Sequence, residues 1–259
     1  MRFEILDVGH GFSCYLLADN GNVMLFDCGH KSSPEFLPST FLRGIGCTGI
    51  ERFFVTNYDE DHISDLPSLR QMMPVSLLHR NKSISPEQLR ALKLEQGPLS
   101  HAMEHLLEMA QQYSHPASNA PHFPNVSFNT FHNSYGVDFC DTNNLSLVTF
   151  LHFRDQCALI PGDLETAGWA KLLTSQAFQA ELGSVTIFIA SHHGRENGYC
   201  ADAFRYCRPN VIVFSDGPKR FATQEMVDAY ARHARGVQFN GQTRRVLTTR
   251  NDGSVRWDV

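Results

Sequence analysis

Three short segments carry the side chains able to do chemistry: Asn57-Tyr58-Asp59-Glu60-Asp61-His62, Pro161-Gly162-Asp163 and Ser191-His192-His193-Gly194. Each follows an apolar run that reads as a buried strand, at 53–56, 157–160 and 185–190. A carboxylate or imidazole beside a buried strand is costly unless something compensates it, and a divalent cation is a natural compensator. Asp59 lies two residues before Asp61, so an extended turn would aim both carboxylates to one side, with His62 adjacent. Imidazole combined with carboxylate suits Zn²⁺, Mn²⁺ or Fe²⁺ better than a thiolate site would. Such an ion lowers the pKa of a bound water from about 15.7 toward about 7, which yields a hydroxide nucleophile at neutral pH.

Plainer readings stand beside these. Asp61-His62 can be the N-cap and first turn of the helix that follows, Gly162-Asp163 a simple turn, and His192-His193 packing and surface histidines. Asp27 reads as a structural carboxylate tying loops near the site, and Cys28 as a core thiol. His10 suits either a turn or the mouth of a cleft. Arg195, Lys219 and Arg220 read as solvated surface, with a phosphate-holding role as the alternative.

Stepwise alternation of strands and helices must position those residues. Phe3, Ile5 and the runs at 14–17 and 23–26 read as strands, and Asp19-Asn20-Gly21-Asn22 has the chemistry of a hairpin turn. Leu66, Leu69, Met72 and Met73 fall at helical spacing; Ser85-Pro86 looks like an N-cap with proline at the first helical position. Met103, Leu106, Leu107 and Ala110 form an apolar stripe after Ser100, and 113–124 is a Ser/Pro/Asn/His-rich loop. Strands are expected at 126–131, 145–153, 157–160, 185–190 and 211–214, helices at 166–173 and 224–233, and a closing hairpin across Asn251-Asp252-Gly253. No linker or repeat interrupts this order. The expectation is one domain, 1–259, with a helical insertion at about 85–113 and two sheets covered by helices on the outside.

Composition sets outer limits. Hydrophobic residues at 42% and charged residues at 19% are ordinary for a globular chain that buries a large core. A net charge of −5 offers no general basic field for nucleic acid or an anionic membrane, though it does not bar a phosphodiester from one small cleft. No apolar stretch is long enough to span a bilayer, and the N-terminus lacks a signal-peptide pattern. Seven scattered cysteines without a Cys-x-x-Cys pair read as reduced thiols, which makes cytoplasmic the default location.

Asn57-x-Asp59-x-Asp61-His62 resembles the His-x-His-x-Asp-His signature of the metallo-β-lactamase superfamily. More narrowly, it resembles the His-x-Asp-x-Asp-His form found in the soluble domain of the competence protein ComEC family. The segments Leu6-Asp7-Val8-Gly9-His10-Gly11, Leu25-Phe26-Asp27-Cys28-Gly29, Asn143-Asn144-Leu145-Ser146-Leu147-Val148, Pro161-Gly162-Asp163-Leu164 and Ser191-His192-His193-Gly194 fall in the order that family shows. The resemblance implies an α/β fold, an αββα sandwich of two mixed sheets flanked by helices. It implies that Asp61, His62, Asp163 and one of His192/His193 hold one ion, with Asp163 able to bridge to another. Asp59 and the position of Asn57 would belong to the other site. Asn57 stands where the signature has histidine, and Asn143 or Asn144 stands where a further histidine is expected, so one tight ion, Zn²⁺ or Mn²⁺, is expected rather than two.

The reaction implied is hydrolysis by metal-activated water, with Asp61, Asp163 and His193 as the catalytic group and His10 as an alternative proton carrier. A nuclease-like phosphodiesterase is the leading expectation, its substrate nucleic acid in a cleft or another phosphodiester, with no membrane partner and a protein partner left open. Hydrolysis of a lactone, thioester or lactam, or a catalytically reduced binding role, are the competing classes.

Overall fold

The strand Val23–Phe26 is apolar at all four positions because both of its faces are covered. Met24 and Phe26 point into a core between two sheets, while Val23 and Leu25 point into a second core beneath helices. The same split recurs in the strand Val211–Phe214, where Val211 and Val213 join the inter-sheet core and Ile212 and Phe214 pack outward.

The computed structural model describes residues 1–115, 118–218 and 226–259. In chain order these form β1 (Arg2–Ile5), β2 (Cys14–Leu17), β3 (Val23–Phe26), the short pair β4 (Lys31–Ser32) and β5 (Glu35–Phe36), and α1 (Pro38–Gly44). Next come β6 (Ile50–Phe54), α2 (Glu60–Ile63), α3 (Leu66–Met72), β7 (Val75–His79), α4 (Pro86–Leu94) and α5 (His101–Gln112). The second half contributes β8 (Val126–Phe131), β9 (Val148–Phe153), β10 (Gln156–Ile160), α6 (Thr166–Leu172), α7 (Gln176–Leu182), β11 (Ile187–Ile189) and β12 (Val211–Phe214). It closes with α8 (Val227–Ala231), β13 (Val237–Phe239), β14 (Gln242–Arg244), β15 (Val246–Thr248), α9 (Thr249–Asp252) and β16 (Val255–Asp258).

One sheet runs β16-β1-β2-β3-β6-β7 and the other β15-β12-β11-β10-β9-β8, each mixing parallel and antiparallel neighbours. Helices α1 to α5 cover the outer face of the first sheet, through residues such as Leu42, Leu66, Leu89 and Leu106. Trp169 of α6, Phe178 of α7 and Tyr230 of α8 cover the second. The result is the four-layer αββα sandwich. Among the described residues no helix is long and apolar enough to cross a membrane.

Strands β3, β6, β10, β11 and β12 all end at the same edge, since β3 and β6 run parallel and so do β10, β11 and β12. The loops that follow them, at 27–30, 55–62, 161–165, 190–195 and 215–217, therefore gather there. This is where open α/β sheets place their ligand sites.

Several local expectations change. The β2–β3 hairpin turns on Gly21 as its sequence predicts, with φ +84°. The closing hairpin does not form: β15 lies in one sheet, and β16 crosses to the other to pair with β1, Phe3 opposite Trp257. Asn251-Asp252-Gly253 instead ends α9, with Gly253 at φ +71°. Leu145 and Leu147 are buried but lie before β9, because Asp141 draws the backbone N–H of Asn144 into a turn. Helices α1 and α7 and strand β7 are elements that the sequence pattern does not predict. Of the helix expected at 224–233 the described part is α8; Gln224, Lys219 and Arg220 lie outside the described residues.

Candidate metal centre

After β6 the chain makes a single helical turn, α2, which presents Asp61 and His62 in succession. That turn is pinned by its carbonyls: Phe12 N–H donates to Asp61 O at 3.1 Å and Cys28 N–H to His62 O at 2.8 Å. Gly29 is required by this contact, since a Cβ there would lie 1.9 Å from Asp61 O. Asp163 follows β10 through the Pro-Gly turn, and its N–H donates to Ser146 Oγ at 3.1 Å. His192 and His193 adopt φ of +51° and +55°, and Gly194 continues the left-handed run at +77°. Ser191 Oγ holds the start of that run by donating to Leu164 O at 2.5 Å.

These loops bring one potential ligand atom each from Asp61, His62, Asp163 and His193 within 4.8 Å of one another. His62 Nε2 lies 3.0 Å from Asp163 Oδ1, and His193 Nε2 lies 3.3 Å from Asp61 Oδ2 and 3.4 Å from Asp163 Oδ2. Four ligands at about 2.0–2.2 Å from a tetrahedral ion stand roughly 3.4 Å apart, so these separations suit one.

The ring nitrogens supply a sharper test of fit. His62 Nδ1 is 2.6 Å from Asp27 Oδ2, and His193 Nδ1 is 2.9 Å from Ser215 O. A carboxylate and a carbonyl only accept, so both Nδ1 atoms carry hydrogen and both Nε2 atoms face the cluster. Each Nε2 is buried without a well-aligned hydrogen bond, despite its nearness to carboxylate oxygen. Imidazole anchored at one nitrogen and open at the other is the arrangement of a metal ligand with its supporting shell.

Electrostatics agree. Burial would push His62 down, but Asp163 and Asp27 outweigh it and hold the ring well above its usual value. Burial acts likewise on His193, and Asp163 and Asp61 raise it to about 10. Burial would raise both carboxyls, yet the His193 contact and His62 hold Asp61 below the usual range, and His62 and His193 do the same for Asp163. In the ion-free chain, protons on the imidazoles balance the carboxylates; a dication takes over that charge without leaving either carboxylate unpaired.

The remaining site residues fall outside this group of four. His192 stands beside it, with Nε2 3.8 Å from Asp163 Oδ2 and Nδ1 3.7 Å from Glu165 Oε1. Asp59 lies outside the group of four: it is the extended N-cap before α2, and its Oδ1 is taken by Lys93 Nζ at 2.5 Å. Asn57 is buried and donates from Nδ2 to Asn143 Oδ1 at 3.0 Å. Asp27 is fully buried, sits at φ +55°, and accepts from Thr56 N and Thr56 Oγ1 as well as His62. Lys93, Thr142, Glu165 and Ser215 escaped the sequence reading; only Ser215, at the end of an apolar run, carried a positional signal.

No family model matches this chain, and no curated protein matches it. Solved structures do. CmlA, a diiron β-hydroxylase from Streptomyces venezuelae, is similar over 99% of this chain and 54% of its own, at 11% identity and a TM-score of 0.55. This chain therefore spans about half the length of CmlA. The fold is the metallo-β-lactamase fold. Igni18, a metallo hydrolase from Ignicoccus hospitalis, is similar over the whole of both chains at 12% identity and a TM-score of 0.48. A diphosphatase from the PhnP family is similar over 99% of this chain and 98% of its own, at 11% identity and the same TM-score of 0.48. Within the metallo-β-lactamase fold of this chain, the cluster of four lies at the sheet edge where the five loops meet.

Proposed function

We propose that this chain is a metal-dependent hydrolase acting on a phosphodiester. The observation that carries the hydrolase reading is the pair of buried, open nitrogens, His62 Nε2 and His193 Nε2, facing Asp61 and Asp163. A divalent ion bound by these four residues supplies Lewis acidity and an acidified water. The chain's own groups do the rest. Asp27 and the Ser215 carbonyl hold the two rings in one tautomer. His10, with its ring centroid 4.8 Å from that of His193 and its Nε2 3.6 Å from Asp61 Oδ2, is placed to pass a proton to or from a substrate oxygen.

The phosphodiester reading rests on the mouth of the site. A cavity of about 280 Å³ opens beside His10 and is lined by His30, Lys31, Ser32, Ser33 and Arg195. Arg195 Nη2 is 3.0 Å from His10 Nε2, and Lys31 pairs with Asp7 at 2.8 Å. Cations and hydroxyls suit phosphate oxygens better than a neutral lactone, thioester or lactam. The competence-protein resemblance of the motifs supports nucleic acid as the source of that diester, and Zn²⁺ or Mn²⁺ fits the donor set.

Elemental analysis of the purified chain, paired with bis(p-nitrophenyl) phosphate and a panel of chromogenic esters, tests this. Metal-dependent turnover of the diester is expected, falling at least ~100-fold in Asp163→Asn. Turnover of esters alone moves the chain to another hydrolase class. Biological activity surviving Asp61→Ala and His62→Ala would leave a binding role in place of catalysis.

A further inference from the structure

Resting on that metal-hydrolase reading, we infer that the centre takes a single ion, and that the Lys93 ammonium stands where the resemblance would place a second. The companion ion would need Asn57, Asp59 and Asn143 or Asn144. Each is already engaged. Asn57 Oδ1 accepts from Asp59 N–H at 2.8 Å and its Nδ2 donates to Asn143 Oδ1 at 3.0 Å. Asn143 Nδ2 donates to Glu165 Oε1 at 3.0 Å, and that oxygen also accepts from Asn197 Nδ2 at 2.8 Å. Asn144 Oδ1 accepts from Gly168 N–H at 2.9 Å. The amide oxygens, the only atoms by which asparagine binds a metal, therefore face donors within the protein.

Asp59 is the one charged member, and its Oδ1 accepts from Lys93 Nζ at 2.5 Å and from Thr142 Oγ1 at 2.9 Å. A dication on that oxygen would sit against an ammonium with which it shares the same atom. Lys93 does not swing freely. It lies in the last turn of α4, whose start is fixed by a capping box between Ser85 and Gln88 and whose Leu89 is buried in the core under the first sheet. Its side chain is 11% exposed, so little water screens the charge. The helix in the 85–113 segment thus brings a fixed positive charge to the carboxylate that a second ion would require.

Metal content of the intact chain, equilibrated with excess Zn²⁺ or Mn²⁺ and then desalted, decides between the outcomes. One ion per chain supports the inference. Two tightly held ions overturn it while leaving the hydrolase reading intact, and none overturns the hydrolase reading itself. The paired variant Asp59→Asn/Lys93→Met, which removes both charges together, is expected to hold the ion within threefold of the original affinity in a chelator competition. A tenfold loss in a variant that still melts cooperatively makes Asp59 a ligand and overturns the inference. Lys93→Met alone, titrated with Mn²⁺ to millimolar levels, is expected to take up a second, weaker ion; a stoichiometry still at one overturns the role given to Lys93.

Discussion

His62 lies between two carboxylates, Asp27 at 2.6 Å and Asp163 at 3.0 Å, and is 1% exposed. Asp27 reaches no ligand position; it holds the ring that does. Asp27→Asn keeps the shape and removes the charge behind Nδ1. It is expected to weaken metal binding by about 10- to 100-fold in competition with a chelator; unchanged affinity would confine Asp27 to the Thr56 loop. The raised histidines also make the ion-free chain pH-dependent. A group with a folded pKa above its unfolded value stabilises the fold fully below the unfolded value, about 6.5 for histidine, and loses that effect as pH passes the folded one. For His193 the folded value is about 10. Melting of the metal-stripped chain is therefore expected to fall in temperature between about pH 6.5 and 10. The same rise in pH should strengthen metal binding, because the ion replaces those protons. A flat melting curve across that window would mean that neither imidazole holds its proton.

Ligand placement depends on turns that few sequences can make. Residues 192 to 194 are left-handed in succession, two of them non-glycine, at a cost of about 1–3 kcal/mol apiece for the histidines. The run is held from both ends, by Ser191 Oγ on Leu164 O and by Arg195 N–H on His192 O at 3.0 Å. Gly194 is wedged so that a Cβ would come within 2.2 Å of the Phe214 ring. Gly194→Ala is expected to destabilise the chain by about 1–3 kcal/mol, several degrees in Tm, and to weaken metal binding with it. A variant that melts normally and binds the ion normally would show that the turn relaxes without moving His193. On the opposite side, α2 is too short to be stable alone, and the backbone bonds from Phe12 and Cys28 hold it.

Asp61 and His62 come from the first sheet's side of the sandwich, Asp163 and His193 from the second. An ion held by all four ties the two halves together at one edge, while Phe3, Phe26, Leu151 and Phe153 tie them through the core. Saturation at a thousandfold over Kd adds about 4 kcal/mol to folding. For a chain of this size that corresponds to a rise of roughly 10 °C in Tm. Calorimetry with the ion and after chelation measures it directly; equal melting temperatures would mean that the loops do not grip one ion in common.

Continuous apolar runs followed by Asp, His or Pro-Gly-Asp were enough to foresee the buried strands, the two sheets and the three segments that meet at their edge. Such signals are local: each strand must bury both faces, and a charge at its end must find compensation. Choosing His193 over His192 needed the left-handed backbone, which sets which ring faces Asp61 and Asp163. Separating Asp59 from the cluster needed Lys93, 34 residues away, and Thr142, 83 residues away. Pairing Asn57 with Asn143 spans 86 residues. The crossing of β16 to the first sheet likewise depends on β1 offering an edge some 250 residues earlier, where Asn-Asp-Gly alone suggested a hairpin. Contacts over such separations leave no periodic trace in the chain, because they are decided by which surfaces meet once the two sheets have packed.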